Sequence, residues 1–351
     1  MRFAIERAGR GTIALALALA AGAAFAQKRP ESVKDPLAGL SAYVPSVHVS
    51  GVIRVSGSPQ MGELLHLYEE GFRRFQPEVR FEESLKSTVT AVAGVYSGRA
   101  EIGLVGREVW PEEVQAFAKA KGHPPLAIEV ATGSYDVPKA TFALMIFVHA
   151  SNPVASLSTE QLRRIFASRV GVPAVRTWGD LGLDGAWAAR PVHLYGFSTG
   201  NDKSLIFSRI IFQPGDAWNS RLHPFSNTAG SHPVDAGEAI VRAVAADPDG
   251  IGISNVHYAT SEVRAVPLSE GDGKPVSPMR SSVASREYPL ARSIYIVVDP
   301  SAKDTGSVAA REFLRFILSR DGQQEVVREG NYLPLTLRVA EQQLKLVGQG
   351  R

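Results

Sequence analysis

The 351-residue chain contains no cysteine. That excludes disulfides, zinc ribbons, iron–sulfur clusters, thiol nucleophiles and a lipidated N-terminal cysteine. Net charge is also scarce: 38 lysines and arginines stand against 35 acids, a formal +3. That is too little for a chain of this size to mark nucleic acid as a partner. Beyond the first 26 residues, no run is long and apolar enough to cross a bilayer. The sequence has no Walker loop, no G-x-G-x-x-G fingerprint and no H-E-x-x-H pair, so neither a cofactor nor a metal is expected. His223 and His232 lie close in sequence but lack metal-ligand company, and read as surface or loop histidines.

What remains is an ordinary globular composition, 44% hydrophobic and 21% charged, with length enough for two or three domains' worth of core. Residues 1–26 read as a secretory signal peptide. Arg2, Arg7 and Arg10 form the basic start, Thr12 to Ala24 the apolar run, and Ala24-Phe25-Ala26 the cleavage site. Cleavage takes three arginines and one glutamate with it, so the formal charge falls from +3 to +1. Any attraction for an anion must then be local. Residues 27–50 are polar and weakly periodic, and read as a tether or loose N-terminal extension.

From Gly51 onward the pattern alternates strand, loop and helix. Val52–Val55 predicts a strand, and Leu64, Leu65, Leu67, Tyr68, Phe72 and Phe75 share one helical face. Val79–Glu83 and Glu101–Val105 predict strands, Thr88–Tyr96 a helix. Pro191–Tyr195 predicts a strand and Asp202–Phe212 a helix. Alternation of this kind implies an α/β architecture with mostly parallel sheets. Thr141–Val148 and Ser293–Val298 read as two strands that join an inserted domain to the first, although a single large sheet would also accommodate them. After the second, Val308–Leu318 predicts an amphipathic helix.

Three loops place hydroxyls just before a predicted helix: Ser56/Ser58, Ser87/Thr88 and Ser198/Thr199. Helix starts expose unpaired N–H groups and partial positive charge, and so receive anions. If these loops converge, with Arg107 adding a forked, charged donor, they make a site for a tetrahedral oxyanion. Ser and Thr are equally good plain helix caps. Gly196-Phe197-Ser198-Thr199-Gly200 also matches the G-x-S-x-G elbow of serine hydrolases, with Asp216 or Asp235 and His257 following in workable order.

Several segments in order resemble the phosphate-type periplasmic solute-binding proteins of ABC transporters. They are Ser56-Gly57-Ser58, Gly98–Gly103 with Arg107, Asn152-Pro153-Val154, Leu162–Phe166 and Trp178–Leu181. Asp249–Gly252, Tyr288–Arg292, Phe313–Gln323 and Gly330–Pro334 follow. The resemblance implies two α/β lobes, the second inserted in the first, joined by hinge strands and closing over the ligand. The expected division is 51–147 and 288–343 for the first lobe, 148–287 for the second, and 344–351 for a C-terminal tail. Ser58, Gln60, Thr88, Arg107, Ser198, Thr199 and Asn201 are the expected ligand residues.

Some positions depart from the family pattern. Pro59-Gln60 follow the first Gly-Ser, Thr88 falls where the family has a serine, and Gly106 replaces a serine. Phe197 stands near the position of a family arginine. Asp202 either faces the cleft or caps its own helix and faces away. The implied function is a periplasmic, non-enzymatic monomer that captures a small oxyanion, phosphate foremost, for an inner-membrane permease. The alternatives are a secreted hydrolase using Ser198, or a sensory or scaffold protein with a degenerate cleft.

Overall fold

A computed structural model describes residues 35–229, 231 and 233–349. The expected signal peptide and its cleavage site lie outside the described residues, as does His232. Ten strands build the two main sheets: β1 (Gly51–Gly57), β2 (Val79–Ser84), β3 (Ile102–Val105), β4 (Leu126–Thr132), β5 (Met145–His149), β6 (His193–Phe197), β7 (Leu222–Phe225), β8 (Gly250–Ser254), β9 (Val263–Ala265) and β10 (Ser293–Val298). The first sheet runs β2-β1-β3-β10-β4 and the second β7-β6-β8-β5-β9. The alternative of one large sheet is thereby excluded.

Neither sheet is mostly parallel. β1 pairs parallel with β2 and β3, but β10 is antiparallel to both β3 and β4. The second sheet repeats this division, with β5 antiparallel to β8 and β9. The reversal follows from the connectivity. A chain that leaves the first sheet and returns to it brings β10 back between β3 and β4 without a helical crossover beside them, whereas parallel neighbours need such crossovers.

β5 and β10 do not bridge the lobes; each lies wholly within one sheet. The expected boundary at residue 147 therefore falls inside β5. The crossings are the segments just before these strands, and they run side by side. Gly133 N–H donates to Arg292 O at 2.7 Å and Leu144 N–H to Leu290 O at 3.2 Å. The apolar run Thr141–Val148 reflects burial on both sheet faces rather than a span: Met145 to Val148 are all fully buried.

Ten α-helices surround the sheets. They are α1 (Gly62–Arg73), α2 (Thr90–Tyr96), α3 (Pro111–Lys121), α4 (Thr159–Phe166), α5 (Asp202–Ile211), α6 (Ala236–Ala245), α7 (Arg280–Ser285), α8 (Thr305–Ile317), α9 (Arg320–Glu329) and α10 (Leu337–Gln349) among the described residues. The α1 stripe anticipated from spacing packs Leu64, Tyr68 and Phe72 against Phe313 and Phe316 of α8. The second lobe has its own core around Phe147, Phe166, Trp178, Phe207 and Ile251. None of these helices is long and apolar enough to cross a membrane.

Two expectations about the chain ends are corrected. Residues 36–49 are not loose. Leu37, Leu40 and Tyr43 are buried in the first lobe's core. Tyr43 N–H donates to Asp321 at 2.6 Å, and the Tyr43 hydroxyl donates to Glu312 at 2.8 Å. Three apolar residues at spacing three are enough to seat the segment on α8 and α9. Likewise residues 344–349 are no tail; they continue α10, with Val347 buried.

Candidate functional site

The site starts where β1 ends. Gly57 has φ 134°, and a Cβ there would lie 2.3 Å from Leu104 O, so only glycine allows β1 and β3 to approach this closely. The approach lets Ser58 N–H donate to Leu104 O at 3.0 Å. Ser58 is 1% exposed and its hydroxyl has no hydrogen-bond partner. Leaving a buried hydroxyl unpaired costs about 1–3 kcal/mol. Such an orphan marks a place where another group belongs.

That hydroxyl faces Gly106, just past β3. A Cβ on Gly106 would lie 2.8 Å from Ser58 Oγ and 3.6 Å from Thr88 Oγ1. Two of the three expected hydroxyl loops therefore converge on this point. The departure at Gly106 has a steric reason, because a serine here would strike Ser58. A third hydroxyl, which sequence reading passed over, comes from the crossing segment: Thr141 Oγ1 donates to Gly106 O. Its signal was position, at the head of the apolar run.

Arg107 follows, 7% exposed. Its guanidinium forks onto Glu113, Nη1 at 2.9 Å and Nη2 at 2.8 Å, and Nη1 also donates to Glu108 O at 2.8 Å. The Trp110 ring lies 3.7 Å from its centre. Glu113 also accepts from Trp110 N–H at 2.9 Å, so it both caps α3 and orients the arginine. The arginine is buried one residue past Gly106, with its charge already matched by Glu113. Gln60 is exposed in the turn after Ser58 and makes none of the hydrogen bonds described.

In the second lobe the expected residues lie on the loop from β6 to α5. Ser198 N–H donates to Phe225 O at 2.8 Å, and Ser198 O accepts from Asn201 N–H at 2.8 Å. Asn201 caps α5, its Oδ1 accepting from Lys203 N–H at 2.9 Å. Thr199 is exposed. Phe197 is 2% exposed, a core residue whose carbonyl accepts from Ser204 Oγ, so no charged side chain fits in its direction. Asp202 is exposed and pairs with Lys203 at 3.1 Å.

Lys203 is the cation that sequence reading missed. Its Nζ lies 5.6 Å from the Phe142 ring and 5.9 Å from that of Phe197. Phe142 follows Thr141, so Lys203 reaches the crossing segment beside Gly106. The available signal was its place as the first cation after the hydroxyl loop, within the first turn of α5.

The elbow reading finds no catalytic set. The Asp216 carboxyl is held below its ordinary range chiefly by Arg163, which forks onto it. Asp235 caps α6 and His257 rests on Tyr258. Among the described residues no histidine hydrogen-bonds to Ser198, and no group of three His, Cys, Asp or Glu side chains is placed to hold a metal. A cavity of about 690 Å³ opens between β2 and α2, lined by residues including Arg54, Glu82, Lys86 and Arg99. It contains none of the seven expected residues.

The model of a PBP superfamily domain matches residues 42–321. A phosphate-binding protein PstS of Pseudomonas aeruginosa is 32% identical over 318 residues, 90% of this chain and 92% of that protein. This chain belongs to the PBP superfamily, in the family of the PstS proteins. The family relationship accounts for both the two-sheet layout and the order of the resembling segments. A PstS of Bacillus subtilis is 23% identical, covering 82% of each chain. Among solved structures, PstS from Borrelia burgdorferi superposes with a TM-score of 0.56 at 13% identity, over 82% of this chain and all of that one. A possible phosphate-binding protein from Planctomyces limnophilus gives 0.52 at 23% identity, over 86% and 99%. Both show the periplasmic-binding-protein fold.

Proposed function

We propose that this protein captures phosphate between its lobes and delivers it to an inner-membrane ABC permease. The observation that carries the reading is the orphaned, 1%-exposed hydroxyl of Ser58. It sits with Thr88 around Gly106, the residue before Arg107, in a chain of the PstS family. Ser58 and Thr88 donate to the oxyanion, and Arg107 supplies a forked cation once the ligand competes with Glu113. From the second lobe come Ser198, the start of α5 capped by Asn201, and the Lys203 charge. Gln60 and Thr199 stand exposed on the rims of the two loops and border the ligand there. Lobe closure about the paired crossings at Gly133–Leu144 and Tyr288–Arg292 brings the two halves together.

The protein works as a monomeric binder and not as an enzyme, in the periplasm after cleavage of residues 1–26. The moving second lobe corresponds to the inserted segment expected at 148–287, extended to take in the whole of β5. Titration calorimetry of the mature chain with phosphate, sulfate and arsenate tests this. Phosphate is expected to bind one-to-one and Ser58→Ala to weaken it at least tenfold. Absence of heat and of thermal stabilisation with all three anions would refute it.

A further inference from the structure

A second set of contacts joins the lobes away from the crossings. The Trp110 ring carries the Arg107 guanidinium 3.7 Å from its centre and the Arg209 guanidinium at 5.0 Å. Arg209 Nη2 also donates to both carboxylate oxygens of Glu112, at 3.2 and 3.0 Å. Trp110, Glu112 and Arg107 belong to the first lobe, Arg209 to α5 of the second. Arg107 is braced by its fork with Glu113, so Arg209 is the mobile member of the stack.

The surroundings favour a contact that makes and breaks. A cavity of about 330 Å³ lies beside it, lined by Val109, Trp110, Pro111, Ile206 and Ile210 among others. The lobes therefore meet here through one arginine rather than a sealed apolar seam. Arg209 and Glu112 are 37% and 67% exposed, so separation returns both charges to water with little penalty. Arg209 lies six residues along α5 from Lys203. The helix that carries the second lobe's cation therefore also carries this contact, and rotation of the lobe moves both together.

We propose that Arg209, with Glu112 and Trp110, is a closure clasp: positioning residues that bias the lobes toward the closed arrangement and steady the Arg107 face. The inference rests on the reading that the lobes close over an oxyanion. It predicts that the clasp acts on the closed state even before ligand arrives, and on ligand release more than on capture.

The absence of cysteine makes the test clean. Lys119→Cys on the first lobe and Val170→Cys on the second, both exposed, take spin labels for interlobe distance distributions. The background is the mature chain or its Arg209→Ala, Arg209→Lys or Glu112→Ala variant. Without ligand, Arg209→Ala and Glu112→Ala are expected to shift the distribution toward longer distances at unchanged melting temperature. With phosphate, stopped-flow release should quicken about three- to tenfold. Arg209→Lys should restore only part of this, since a point charge pairs with Glu112 but cannot stack flat. The double variant should be no worse than either single, as expected for two partners in one interaction. Unchanged ligand-free distances in both Arg209→Ala and Glu112→Ala overturn the clasp. If the wild-type chain binds no phosphate, the ligand reading falls, and the ligand-free distances still decide the clasp.

Discussion

The Arg107 guanidinium meets Glu113 through two parallel hydrogen bonds of 2.9 and 2.8 Å. The arginine proposed to meet the oxyanion is thus already neutralised by a carboxylate of its own lobe. Glu113→Gln keeps an acceptor for the Trp110 amide but leaves the arginine's charge unopposed, and should tighten phosphate binding several-fold. Arg107→Lys loses the fork and should weaken it by about tenfold or more, since charged hydrogen bonds contribute about 1.5–3 kcal/mol. Calorimetry on both variants checks the pair, and identical affinities would remove Arg107 from the site.

Gly106 is predicted to be intolerant of any side chain. A methyl group would lie 2.8 Å from Ser58 Oγ, displacing that hydroxyl at a cost of about 1–3 kcal/mol. Gly106→Ala should therefore lower both stability and phosphate affinity. Adding Ser58→Ala should recover the stability, because the clashing oxygen is gone, without recovering the affinity. Recovery of both by the double variant would show that Ser58 is not a ligand.

Lys203→Ala should weaken phosphate binding by about tenfold and flatten its salt dependence. A charge 26% exposed is screened over roughly 10 Å at about 0.1 M salt. The measurement is the dissociation constant from about 20 to about 300 mM salt. An unaltered slope would assign Lys203 to the surface.

Glu69, on α1, provides a pH-dependent stability. Burial pushes its carboxyl up to about 7, the Glu83 charge adds to this, and Arg73 opposes it. Its ordinary value is 4.5, so between these limits the folded chain holds the proton that the unfolded chain has released. Stability therefore falls as pH rises through that window, and the loss is complete above it. Relative to wild type, Glu69→Gln should gain on the order of 2 kcal/mol more at pH 8 than at pH 5. Denaturant unfolding at the two pH values decides it, and an equal difference at both would contradict the shift.

Much of this was legible in the residues, and the rest was hidden for definite reasons. Strand–loop–helix periodicity located β1, α1, β2 and α5 to within a few residues, because each buries one regular face. The inserted second lobe was legible too. Sheet polarity was not, since whether β10 returns beside β3 is a matter of long-range pairing and not of local pattern. The anchoring of Tyr43 escaped notice because its partners, Glu312 and Asp321, lie nearly the whole chain away. Around Gly106, the convergence of the Ser58 and Thr88 loops was anticipated. The matching of Arg107 by Glu113 was not, although the six-residue spacing across the start of α3 carries it. Phe197 looked like a lost arginine. The structure makes it a core residue, with the Lys203 ammonium 5.9 Å from its ring.

The seating of residues 36–49 on α8 and α9 bears on how the molecule comes to be folded. The second sheet draws all its strands from residues 145–265, so that sheet is complete as soon as this one stretch is available. The first sheet must wait for β10, and its outer layer for helices made last of all, which Tyr43 and Ser46 then grip from the opposite end of the chain. Contacts so distant in sequence form slowly. A chain emerging through a membrane channel with its N-terminus leading would assemble the inserted lobe first. It would finish the host lobe only when its last helices are free. Pulse-labelled hydrogen exchange during refolding should accordingly protect β5, β6 and β8 before β1 and β3.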